Sequence, residues 1–107
     1  MKTLGELLQE IERHHWESGL FVESDVQLAS SNRAQVVRTD PYTREALEPV
    51  HASLRELLSV QDVQDIVSNA RQQLPSATPE QLVEALQYYM LKDAFLDFRK
   101  AKRRGKG

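Results

Sequence analysis

Apolar and polar positions along this chain alternate with two different periods, and the period changes mark its elements. The clearest stretch runs from Ser59 to Leu74. Val60, Val63, Ile66, Val67, Ala70 and Leu74 recur at helical spacing and predict one buried stripe. Ser59 stands where an N-cap is needed, Asp62 falls in the first turn, and Pro75 lacks the N–H needed to continue. Thr78-Pro79-Glu80-Gln81 then restarts a helix, with Thr as cap, Pro at the first helical position and Gln placed for a capping box. Its expected buried face is Leu82, Val83, Leu86, Tyr89 and Met90. That stripe would next fall on Asp93 and Asp97, so a break near Lys92 is expected. Leu91, Ala94, Phe95 and Phe98 then form a second, rotated stripe.

Earlier in the chain the pattern is shorter-ranged. Thr3 and Glu6 form a capping box ahead of Leu4, Leu7, Leu8 and Ile11, which predicts a first helix over 4–15 with Gly19 as its stop. Leu20-Phe21-Val22, the alternating Val26 and Leu28, and Ala34 to Arg38 read as three short strands, with turn chemistry at Ser30-Ser31-Asn32. Asp40-Pro41-Tyr42 marks a further turn. Between 43 and 58 two readings stand: a short helix from Pro49 through Val50, Leu54, Leu57 and Leu58, or an irregular stretch with a brief strand at Leu57-Leu58.

Together these predict an α+β fold, a helical majority packed on one face of a small antiparallel sheet. An all-α bundle with an irregular 20–40 is the alternative. The 107 residues suit one domain, expected over 1–98.

Charge adds an asymmetry. Residues 1–98 carry sixteen acids against eight bases, a net of −8, while Arg99 to Gly107 hold six bases and no acid. The last stretch is therefore expected to be a basic, mobile tail. Zero cysteines exclude disulfides and thiolate metal sites. No apolar run reaches the roughly 20 residues of a membrane span, and Glu6, Glu10 and Glu12 interrupt any signal-peptide core. A cytoplasmic location without a membrane partner follows as the expectation.

Candidate chemistry is sparse. His14 and His15 are adjacent, pointing about 100° apart on a helix, whereas helical chelation uses i, i+3 or i, i+4 spacing. No metal and no cofactor are expected. Asp62 with Asp65, and Glu80 with Glu84, lie one turn apart on faces expected to be solvated, which leaves no carboxyl raised for acid catalysis. No enzymatic activity is expected. What stands out is the polar face of the 60–74 helix, carrying Gln61, Asp62, Asp65, Asn69, Gln72 and Gln73. Amides both donate and accept, which suits a partner surface. Glu80, Glu84 and Tyr88 on the next helix complete the expected partner-binding set, Tyr88 as an exposed aromatic.

The segment SVQDVQDIVSNARQQLPSATPEQLVEALQYYMLKDAFLDF, residues 59–98, resembles the C-terminal half of a family of small uncharacterised bacterial proteins. The resemblance lies in a helix of the Q-D-V-Q-D-I-V-x-N-A-R-Q-Q type, an A-T-x-x-x-L start, a tyrosine pair and D-A-F. Small, acidic, cysteine-free proteins of this kind resemble the immunity partners of bacterial toxins. The resemblance implies a cytosolic immunity protein that binds a basic toxin domain of nuclease type, for which an acidic surface is complementary. A small-ligand-binding or accessory enzyme domain is the alternative. Weak nucleic-acid association through the tail is a third; the acidic body disfavours nucleic acid as a partner.

Overall fold

A computed structural model describes residues 2–23 and 27–99. The expected mobile tail and Val26 of the second expected strand lie outside these, apart from Arg99.

Four antiparallel strands form one sheet: β1 (Lys2–Thr3), β2 (Ser18–Val22), β3 (Arg33–Arg38) and β4 (Arg55–Ser59), in the order β1-β3-β2-β4. Leu20 pairs with Val36 on one side and with Leu58 on the other. Three helices, α1 (Leu4–Gln9), α2 (Val60–Gln73) and α3 (Pro79–Lys92), pack across one face. Leu20, Val22 and Ala34 of the sheet meet Leu4, Leu8, Val63, Val67, Leu82 and Leu86 of the helices in the main core. This is the expected α+β arrangement.

Several local expectations are corrected. The first helix ends at Gln9 rather than 15, and a 3₁₀ turn follows at Ile11–Arg13. The cause is tertiary. Gln64 of α2 donates to the carbonyls of Ile11 (3.0 Å) and His14 (2.9 Å), and Arg71 to that of Gln9 (2.9 Å). Carbonyls that a helix end leaves open are thus satisfied from α2. Gly19 stops nothing; it lies inside β2. A Cβ there would run into the Glu56 carboxylate and the Phe21 ring.

Leu28 is buried but lies in irregular chain, its N–H bonded to Gln87 Oε1 at 3.3 Å. The sheet instead recruits Lys2–Thr3 and Arg55–Ser59. No helix starts at Pro49; residues 47–54 are irregular and the strand alternative at Leu57-Leu58 is the one adopted.

β2 is buried at all five positions, so its second face is covered too. There Phe21, Val37 and Leu54 form a small separate core with Val50 against it, beneath the segment 40–54. Asp40 starts that segment by accepting from the N–H groups of Tyr42 (2.8 Å) and Thr43 (3.0 Å), an Asx-type turn. Arg44, at φ 65°, reaches Glu56 of β4 at 3.2 Å.

The two long helices follow their sequence signals closely. Ser59 Oγ accepts from Asp62 N at 3.2 Å, and Thr78 and Gln81 form a reciprocal capping box. The break after Lys92 is present: Asp93 adopts the left-handed conformation at φ 53° and its N–H bonds Tyr89 O. Within α3 the buried set is Leu82, Val83, Ala85 and Leu86, while Tyr89 is half-buried and Met90 exposed. Of the rotated stripe only Phe98 is buried, joined by Leu96; Leu91, Ala94 and Phe95 are exposed.

Candidate functional site

The turn at Leu74–Ala77 brings the end of α2 beside the start of α3, and the chain returns to this place after Asp93. Gln73 ties it down. Its Nε2 donates to Leu96 O (2.8 Å) and Asn69 Oδ1 (2.9 Å), while its Oε1 accepts from Phe98 N (3.0 Å). Between these elements lies a groove of about 600 Å³ lined by Gln72, Gln73, Leu74, Gln81, Glu84, Phe98 and Arg99. Leu74 and Phe98 supply apolar wall, the amides and the two opposite charges supply polar rim.

This groove gathers three of the residues expected to bind a partner: Gln72, Gln73 and Glu84. Gln73 holds the C-terminal segment in place, and Asn69 supports it, so both amides are committed inside the molecule. Gln61 and Asp65 are exposed on the outer strip of α2. Gln61, Asp65, Gln72 and Glu84 make no side-chain hydrogen bond or ion pair to another described residue.

Asp62 is half-buried and belongs to a separate concavity of about 440 Å³ with Arg44 and Glu56 at the β4 edge. Glu80 accepts from Ser30 Oγ at 3.0 Å. Tyr88 is half-buried against the main core rather than exposed.

Sequence reasoning missed Gln81, Leu74, Phe98 and Arg99 as groove residues. Gln81 was legible only as a cap. Arg99 was grouped with the basic segment, and nothing local to it announces a return to the 74–84 region.

The carboxyls whose ionisation is shifted lie elsewhere, and all are held below their ordinary range. Glu10 is lowered by hydrogen bonding to Lys2 and then His14, Glu6 by the backbone and then the hydroxyl of Thr3, Glu23 by the backbone of Arg33, and Asp40 by the backbones of Thr43 and Tyr42. Such groups act as fixed charges and acceptors at neutral pH.

His14 Nε2 sits 2.8 Å from Glu10 Oε2, His15 stacks on Trp16, and His51 Nδ1 lies 2.7 Å from Ser53 Oγ. Among the described residues no group of three His, Asp or Glu is placed to hold a metal ion. No described helix is long and apolar enough to cross a membrane.

No curated protein and no solved structure matches the chain. A family model described as a domain of unknown function, DUF7716, matches residues 1–98, and the chain belongs to that family.

Proposed function

We propose that this is a non-catalytic binding protein, a cytosolic immunity protein that neutralises a basic bacterial toxin domain of nuclease type by direct contact. The observation that carries this reading is the set Gln61, Asp65, Gln72 and Glu84. Four polar side chains on adjoining helices stand exposed, with no hydrogen bond to another described residue. Two are carboxylates and two are amides, a combination that attracts a cationic surface and then bonds to it. The −8 balance of residues 1–98 adds long-range attraction.

The partner to test is the product of the neighbouring open reading frame, which on this reading should carry a basic toxin domain. Stopped-flow association is measured with the wild type and with the double variant Asp62→Lys/Asp65→Lys, which replaces two negative charges by two positive ones. Both positions lie off the buried stripe of α2, so the variant should fold. Association should slow markedly at low salt. The difference should shrink as the Debye length falls from about 10 Å at 0.1 M to about 3 Å at 1 M. An equal rate at low salt retires α2 as the interface. Absence of any complex or nuclease inhibition overturns the function itself.

A further inference from the structure

The groove between α2, α3 and the returning chain carries one anionic and one cationic side chain, Glu84 and Arg99. Neither side chain makes an ion pair or hydrogen bond with another described residue. Two other concavities, at the sheet edges, differ. At the β1 edge Lys2 and His14 are already bonded to Glu10, at 2.7 Å and 2.8 Å. At the β4 edge Arg44 is bonded to Glu56. In the groove, unlike at these two edges, one side chain of each sign is left without a bond to another described residue.

The remaining lining specifies the chemistry further. Gln81 spends its Oε1 on the Thr78 N–H, which leaves its amide N–H groups as donors. Gln72 is exposed and offers both a donor and an acceptor. Leu74 and Phe98 form the apolar part. Phe98 is held by the Gln73 bond to its N–H, and the Arg99 N–H is fixed to Asp97 Oδ1 at 3.0 Å. The wall is therefore formed before any ligand arrives, which lowers the ordering cost of binding. At about 600 Å³ the space falls within the roughly 300–1,000 Å³ of ordinary small-molecule sites.

We infer that this groove is a binding site for a zwitterionic ligand of amino-acid or dipeptide size. Its carboxylate meets the Arg99 guanidinium, its ammonium meets Glu84, and an apolar side chain lies on Leu74 and Phe98. Gln72 and Gln81 bond to the ligand's backbone groups. A guanidinium suits a carboxylate because its planar fork can bond both oxygens. The inference goes beyond the partner reading and does not depend on it, since binding is measured on the protein alone.

The test is a titration of the ¹⁵N-labelled full chain with the standard amino acids and with L-leucyl-L-leucine, at millimolar concentrations. L-leucinamide and N-acetyl-L-leucine, which each lack one charge, are the controls. The expected result is that a zwitterion shifts the amide resonances of Gln72, Gln81, Glu84 and Arg99. Each singly charged analogue should bind about tenfold more weakly, the factor that loss of one charge-assisted bond represents.

Two exposed-site variants give a crossed pattern. Glu84→Gln should weaken L-leucinamide and leave N-acetyl-L-leucine unchanged, and Arg99→Gln should do the reverse. The inference is overturned if no amino acid or dipeptide shifts these resonances. It is equally overturned if a singly charged analogue binds as tightly as its parent, or if the variants act alike on both analogues.

Discussion

The two faces of the sheet are built by different means. On one, three helices lay continuous apolar stripes over Leu20, Val22 and Ala34, and side chains such as Leu4, Leu8, Val63 and Leu86 lose all exposure. On the other, Phe21, Val37 and Leu54 are covered by an irregular segment. That segment is held by the Asp40 turn, the Arg44–Glu56 ion pair and a bond from Gln35 to the Pro49 carbonyl at 3.0 Å. The helical face is stabilised by area removed from water, the loop face by a few polar fasteners over a little apolar area. Helical cover can be read from periodicity. Cover by irregular chain has no period, which is why residues 43–58 allowed two readings.

Core truncation should separate the faces most clearly. Leu20→Ala empties a site with 0% exposure in the main core and should cost about 2–5 kcal/mol in urea denaturation. Leu54→Ala, on the loop face, should cost about 2 kcal/mol, at the lower end, because irregular chain can settle into the space. Equal losses would erase the distinction between a rigid and a yielding cover.

Gly19→Ala probes the loop face from below and should cost about 1–3 kcal/mol, since the new methyl overpacks against Glu56 and Phe21. The Glu56 carboxylate is the end of a flexible side chain, so adding Glu56→Ala should recover part of the loss. No recovery would assign the clearance to the Phe21 ring instead.

The smallest expected effect is a dependence on acid. Asp40 is held below its ordinary value of 3.8 by the backbone N–H groups of Thr43 and Tyr42. A carboxyl whose folded pKa is depressed contributes stability that is present above the unfolded value and is lost as pH falls through the folded one. The melting temperature should therefore fall as pH drops below 3.8. Asp40→Asn should flatten that fall slightly, with solvent exposure keeping the difference small. An identical acid limb in wild type and variant would show that the turn contributes nothing through ionisation.

The candidate groove was half legible. Gln72, Gln73 and Glu84 stood out because their helices were certain and their faces polar. Gln73 nevertheless turned out to be a fastener. Whether an amide faces solvent or a carbonyl 23 residues further on depends on where the chain after Asp93 goes. Tyr88 and Met90 were misassigned for a related reason. A helical stripe is defined to within one neighbour, and the packing of α3 against α1 and α2 favoured Ala85 inside and Met90 outside.

What the sequence by itself determined is the local punctuation of the two long helices. The caps at Ser59 and Thr78, the stop at Pro75 and the break at Asp93 rest on hydrogen bonds and steric limits spanning at most four residues. The tertiary structure alone decided the partners of the strands. β2 pairs with a strand more than 30 residues later, and a two-residue strand at the N-terminus closes the opposite edge. The first helix was also shortened by side chains of α2. Each of these is a contact between distant parts of the chain, and its free energy exists only once both parts share one core.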